Sequence, residues 1–219
     1  MRKAVIFDLD GTLIDSAPDI HAAVSRTLAD EGHPPLSYTE VRGFIGNGVP
    51  VLIERVMTAR GERADPSRRA DLIARFLAHY EAASSDLTTL YPGVRAALQA
   101  LADAGHPIGL CTNKPAGPAR DILAAFDLLP FFAVVFGGDS LPERKPHPEP
   151  LLATVRALGS ASALFVGDSE VDAETAAAAG IPMFLFTEGY RKTPVSELPH
   201  LMAFDDFAAL PGLIRHHKA

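Results

Sequence analysis

Residues 3–12 read KAVIFDLDGT. The run KAVIF (3–7) is apolar on both alternating faces and stops at acidic residues and a glycine. That pattern belongs to a strand buried on both sides, as in a parallel sheet. The residues just past the strand are polar and compact: Asp8, Leu9, Asp10, Gly11, Thr12. Ligands of an open parallel sheet bind beyond the carboxyl ends of its strands. The segment therefore predicts both a fold class and the edge at which to look for chemistry.

Moving outward, residues 17–84 carry no strand signal. Ile20, Ala23, Val24, Thr27 and Leu28 recur at helical spacing. So do Val49, Leu52, Ile53, Val56 and Met57, and then Leu72, Ile73, Phe76, Leu77 and Tyr80. Three or four amphipathic helices are expected, punctuated at Gly32, between Gly43 and Gly48, and between Gly61 and Pro66. After Tyr91-Pro92-Gly93 helices and strands alternate. Helices are expected at 93–104, 116–126, 148–158, 170–179 and about 206–214. Strands are expected at 107–111, 132–136, 163–167, 182–186 and about 201–204. The alternation predicts an α/β, doubly wound parallel sheet. An all-helical insertion separates the first strand from the rest. The expected division is a core of 1–14 plus 87–219 and a helical cap of 15–86, hinged near Asp15-Ser16 and near Ser84–Leu90.

Polar residues gather where the strands end. Thr112, Asn113 and Lys114 follow the second strand, Lys145-Pro146-His147-Pro148 the third after a loop, and Asp168, Ser169 and Asp172 the fourth. Asp8, Asp10, Asp168 and Asp172 would crowd carboxylates, which raise one another's pKa unless a cation neutralises them. An all-oxygen set suits a hard divalent ion, and Mg2+ is the usual choice beside phosphate. Lys145 supplies positive charge for phosphate oxygens, Thr112 a hydroxyl and Asn113 an amide. Asp8 can attack phosphorus to give an aspartyl-phosphate. Asp10, two residues on, can give a proton to the leaving oxygen and then activate water.

Each residue also has an ordinary reading. Asp-x-Asp after a strand is a common turn, Thr112 and Asp168 are helix-capping types, and a lone lysine is usually solvated. Their joint occurrence, each after its own strand, favours the functional reading. Cys111 lies in an apolar strand and reads as core. His147 reads as a loop residue, and His216 and His217 as part of a frayed tail.

Bulk properties narrow the classes. The 219 residues are 47% apolar, enough for a sizeable core. A net charge of −7 offers no basic face for nucleic acid or anionic lipid. One cysteine excludes an internal disulfide. The apolar stretch before Asp8 is too short for a signal peptide, and none approaches the ~20 residues of a membrane span. No P-loop motif occurs. A cytoplasmic protein acting on a small molecule, as a monomer or homodimer, is the expectation.

FDLDGTLIDS (7–16), CTNKP (111–115), KPHPEP (145–150) and GDSEVDAETAAAAG (167–180) together resemble the four motifs of the haloacid dehalogenase-like hydrolases. The insertion resembles the helical cap of one class of that superfamily. The resemblance implies a phosphatase with Asp8 as nucleophile and metal ligand. Asp10 would be the acid/base and bind metal through its backbone carbonyl. Thr112 and Lys145 would hold the phosphoryl group, Asp168 would bind metal, and Asp172 would support it directly or through water. A second aspartate at position 10 argues against a dehalogenase. Within the family, VRGFIGNGVPVLIERV (41–56) is similar to the cap of bacterial phosphoglycolate phosphatases, which implies 2-phosphoglycolate as substrate. Arg42 or the Gly46-Asn47-Gly48 loop would then meet the substrate carboxylate. A sugar phosphomutase of the β-phosphoglucomutase type and a non-catalytic protein are the competing readings.

Overall fold

The computed structural model describes residues 2–63 and 65–216. Its main sheet has six parallel strands in the order β5-β4-β1-β6-β7-β8. These are β1 (Ala4–Phe7), β4 (Ile108–Cys111), β5 (Val134–Phe136), β6 (Ala163–Gly167), β7 (Met183–Phe186) and β8 (Met202–Phe204). All six strands predicted from sequence are present. β1 lies at the centre, with Val5 opposite Ile108 on one side and Leu164 on the other.

The period of two in a strand sends neighbours to opposite faces. Val5, Phe7, Leu110, Leu164 and Val166 face one core cluster, while Ile6, Cys111 and Phe165 face the other. Helices cover both faces, as a sheet of uniformly apolar parallel strands requires. α5 (Val94–Asp103), α6 (Ala116–Ala125) and α9 (Leu210–His216) contribute to the first cluster. α7 (Glu149–Ala157) and α8 (Glu170–Ala179) cover the second. Full burial of one such Leu or Phe is worth about 1.5–3 kcal/mol. α7 comes so close to β4 that a Cβ on Gly109 would lie 2.9 Å from the Thr154 methyl. Cys111 is a buried core thiol, as its apolar setting predicts, and burial pushes its pKa up to about 12. His216 closes α9, its Nδ1 2.7 Å from the Gly212 carbonyl; His217 lies outside the described residues.

Four helices fill the stretch after β1: α1 (Ala17–Asp30), α2 (Tyr38–Phe44), α3 (Val49–Ala59) and α4 (Pro66–Glu81). α1 packs on α2 and α4, and α3 on α2 and α4. Local signals set their starts. Ser37 and Glu40 form a capping box at α2, and Asp65 accepts from Ser67 and Arg68 N–H at α4. The group is entered and left through a two-residue antiparallel ribbon, β2 (Ile14–Asp15) against β3 (Thr89–Leu90). Sequence did not predict this ribbon, because two residues carry no period.

Candidate active site

The chain runs from β1 to β4 and β5 on one side of the sheet, then returns to β6 on the other. The crevice at this reversal lies beyond the carboxyl ends of β1 and β6, where Asp8 and Asp168 stand. Asp8 and Thr112 sit on rigid supports. Asp8 N–H continues the ladder to the Val166 carbonyl at 2.9 Å, and Thr112 N–H continues β4 to Phe136 at 3.0 Å.

Asp8, Asp168 and Asp172 are buried, and one oxygen from each lies within 4.8 Å of the others. Their surroundings separate them. Asp172 is spent: Oδ2 accepts from the N–H groups of Asp168 and Ser169 and the Ser169 hydroxyl, and Oδ1 accepts from Lys145 Nζ at 2.6 Å. It therefore acts here as an anchor for Lys145 and for the turn into α8. Asp168 accepts from Thr12 Oγ1 and from Tyr190 N–H, both at 2.7 Å. Asp8 Oδ1 meets Lys145 Nζ at 2.9 Å and has no other polar partner.

Two glycines let backbone close around Asp168. A Cβ on Gly11, whose φ is +88°, would lie 2.5 Å from its Oδ2, and one on Gly189 would lie 2.3 Å from the same atom. Burial pushes Asp8 up to about 6 against the pull of Lys145, and the Asp172 charge adds to the rise. Burial, then the Asp172 and Asp8 charges, raises Asp168 well above the ordinary carboxylate range. Burial would lower Lys145, but the Asp172 and Asp8 charges outweigh it and hold it above its usual value.

Asp10 lies at the rim. Its Oδ1 accepts from Ser16 Oγ at 2.5 Å and from Lys114 Nζ at 3.1 Å. Lys114 is buried, donates also to Tyr80 Oη at 2.7 Å, and is held above its usual pKa by Asp10 despite burial. Asp10, Lys114 and Tyr80 line a cleft between the sheet edge and the helical group, with Thr112, Asn113, Gly46, Gly48, Leu52 and Phe76 among its walls.

Not every expected ligand faces that cleft. Asn113 lines it, but its amide clasps the Lys145 backbone in both directions and reaches the Gly46 carbonyl at 3.1 Å. Arg42 donates to the Gly189 carbonyl at 2.7 Å and lies 5.0 Å over the Tyr190 ring. Asn47 Oδ1 accepts from Arg55. Neither Arg42 nor Asn47 is among the residues lining the cleft. Conversely, Lys114, Tyr80, Thr12, Ser16 and Tyr190 join the site without having been assigned a role from sequence. Tyr80 falls on the apolar stripe of α4 and reads as core, and Tyr190 sits in an aperiodic loop. Thr12 was the one with a usable signal, lying inside the Asp-rich turn.

The residues fit a divalent cation. Asp8, Asp10, Asp168 and Asp172 face two ammonium groups, Lys114 and Lys145, which leaves two negative charges in a buried pocket. Asp8, Asp168 and Asp172 each offer a buried oxygen within 4.8 Å of the others, a spacing that suits a hard ion.

The comparisons with known proteins point the same way. Over 211 residues the chain is 59% identical to a phosphoglycolate phosphatase of Cereibacter sphaeroides, covering 96% of this chain and 97% of that one. A phosphoglycolate phosphatase of Rhodospirillum rubrum is 44% identical over 96% of this chain and 90% of its own. The crystal structure of a predicted phosphoglycolate phosphatase from Haemophilus somnus superposes with a TM-score of 0.91 at 33% identity, over 97% of both chains. The family model for haloacid dehalogenase-like hydrolases matches residues 2–180, and the chain belongs to that family.

Proposed function

We propose that this protein is a magnesium-dependent phosphatase that hydrolyses 2-phosphoglycolate to glycolate and phosphate through an aspartyl-phosphate on Asp8. The observation that carries the chemistry is the state of Asp8: buried at a strand end, with the Lys145 ammonium 2.9 Å from Oδ1 as the one polar partner of that oxygen. Nearly full-length similarity to phosphoglycolate phosphatases supports the substrate.

In this reading an Asp8 oxygen attacks phosphorus and the bond from phosphorus to the ester oxygen breaks. Asp10 gives its proton to the departing glycolate oxygen. Asp10 then takes a proton from water, the water oxygen attacks phosphorus, and phosphate leaves with Asp8 restored. Lys145 Nζ neutralises charge on Asp8 and on the phosphoryl oxygens, and Asp172 fixes that ammonium in place. Thr112 offers its hydroxyl at the end of β4. Mg2+, held by Asp8 and Asp168, would draw charge from the phosphoryl group and lessen its repulsion of the attacking carboxylate.

The same reading makes residues 15–86 a mobile cap over a core of 1–14 and 87–219, with the β2–β3 ribbon as its hinge. A cytoplasmic setting goes with it, supported by a single thiol that is buried and unpaired.

The test is phosphate release from a panel of esters, with and without Mg2+. The expected result is metal-dependent release with the highest kcat/KM for 2-phosphoglycolate. Faster hydrolysis of sugar phosphates, or isomerised sugar phosphate without free phosphate, overturns the substrate. Full activity in Asp8→Asn overturns the mechanism.

A further inference from the structure

Carboxylate recognition needs a cation, and sequence pointed to Arg42. The fold spends Arg42 elsewhere, on the Gly189 carbonyl and the Tyr190 ring. Of the residues lining the cleft, Lys114 is the one cation. Its neighbours are Asp10 and the Tyr80 hydroxyl, and much of the facing wall is apolar: Ile20, Leu52, Phe76, Leu77. A buried ammonium with an apolar wall opposite is a poor receptor for a polyhydroxylated tail and a good one for a small anion.

Position selects which anion. The ester oxygen must come within about 3 Å of Asp10 to take its proton. Lys114 Nζ lies 3.1 Å from that same carboxylate. The ester oxygen and the ammonium therefore stand no more than about 6 Å apart, a span that a one-methylene acid bridges in its extended form and a longer one only by folding back. An ammonium has three donors. Tyr80 Oη takes one at 2.7 Å and the Asp10 oxygens lie at 3.1 and 3.3 Å, so a substrate carboxylate would take over the donor of the longer Asp10 contact.

We infer that Lys114 is the specificity-determining residue, binding the carboxylate of a phosphate ester whose acid group lies one methylene from the ester oxygen. The inference rests on the 2-phosphoglycolate reading and assigns the residue that enforces it. It also places Lys114 as a positioning residue for Asp10, so its loss lowers turnover of every ester. The distinguishing readout is the ratio between esters with and without the carboxylate.

The experiment measures kcat and KM of wild type and Lys114→Gln for 2-phosphoglycolate and for ethyl phosphate, which keeps the chain length without the acid group. Wild type is expected to prefer 2-phosphoglycolate. In Lys114→Gln that preference falls about 10- to 100-fold, mostly through KM, as loss of a charge-assisted hydrogen bond predicts. If both esters lose activity equally, the carboxylate assignment is wrong while the phosphoglycolate reading stands. If wild type shows no preference, both are wrong. A measurement on wild type alone covers a variant that fails to fold. 2-Phosphoglycolate is expected to outperform 3-phosphonooxypropionate, which has one more methylene; an equal or lower KM for the longer acid refutes the placement.

Discussion

Asp8→Asn is expected to make the metal-free protein harder to unfold at pH 8. The fold moves Asp8 from its ordinary 3.8 to about 6, chiefly by burial. The folded chain thus holds this proton more tightly than the unfolded chain does. Its contribution to stability is fully present below pH 3.8 and is lost as pH rises through about 6. The interval between those values corresponds to about 3 kcal/mol at pH 8, and to about half of that at pH 5. Asparagine removes the charge at nearly constant volume. Lys145 loses one partner but keeps Asp172 at 2.6 Å, which reduces the net gain to about 1–3 kcal/mol. For a chain of this length that is a rise of about 2–10 °C in Tm. The assay is thermal unfolding in a chelator at pH 8 and pH 5. A variant that melts at or below wild type at pH 8, or a gap that does not shrink at pH 5, refutes the reasoning. Added magnesium should raise Tm in wild type more than in Asp8→Asn, because a ligand stabilises only the state that binds it.

Three further outcomes rest on the same geometry. Asp8 must be ionised to attack, and divalent ions compete with protons for it, so the acid limb of the pH–kcat/KM profile should move to lower pH as magnesium is raised; a fixed limb shows that Asp8 does not bind the ion. Gly11→Ala puts a Cβ 2.5 Å from Asp168 Oδ2 at a φ of +88°. It should cost about 1–2 kcal/mol of backbone strain, read in urea unfolding, and about 100-fold in kcat/KM through displaced Asp168. Tyr190→Phe removes a hydroxyl that accepts from Ser16 and Ala17 N–H and donates to Asp15, while keeping the ring beneath Arg42. It should lower stability by about 1–3 kcal/mol in the same unfolding assay, because the buried Ser16 N–H loses its acceptor while Ala17 N–H keeps Asp15 Oδ1 at 3.4 Å.

The strands and the residues just past them were legible because strong local rules agree there. KAVIF and ALFVG are too apolar and too short for anything but central strands, and the residues that succeed such strands face a crevice. Three of the four helices of 17–84 were legible from period alone, whereas the seven-residue α2 was not, and Gly43, read as a break, lies inside it. The features that escaped have no local cause. The β2–β3 ribbon pairs residues some 75 positions apart with two residues per strand. Tyr190 and Asp168 meet only because two loops pack against each other across Gly11 and Gly189. Arg42 illustrates the opposite failure. As an arginine beside a glycine-rich loop it read as an anion ligand, but the neighbouring Gly189 carbonyl and Tyr190 ring claimed its guanidinium. A sequence gives the supply of charged groups, whereas their partners are decided by packing.

Partner choice is also what separates the four aspartates, which sequence presents as equals. Asp172 receives donors on both oxygens and is fixed, so it can hold Lys145 but has little left for a ligand. Asp168 is fixed by one donor on each oxygen and keeps lone pairs in reserve. Asp10 accepts from the buried Lys114 ammonium on both oxygens and from the Ser16 hydroxyl on Oδ1. Asp8 has the Lys145 ammonium 2.9 Å from Oδ1 as its one recorded side-chain partner. A nucleophile on a strand end needs this condition: a cation beside the carboxylate, a backbone that cannot retreat, and few donors competing for its lone pairs. The two ends of the set, Asp172 with four donors and Asp8 with the Lys145 contact alone, show how packing divides carboxylates between holding the site and serving its chemistry.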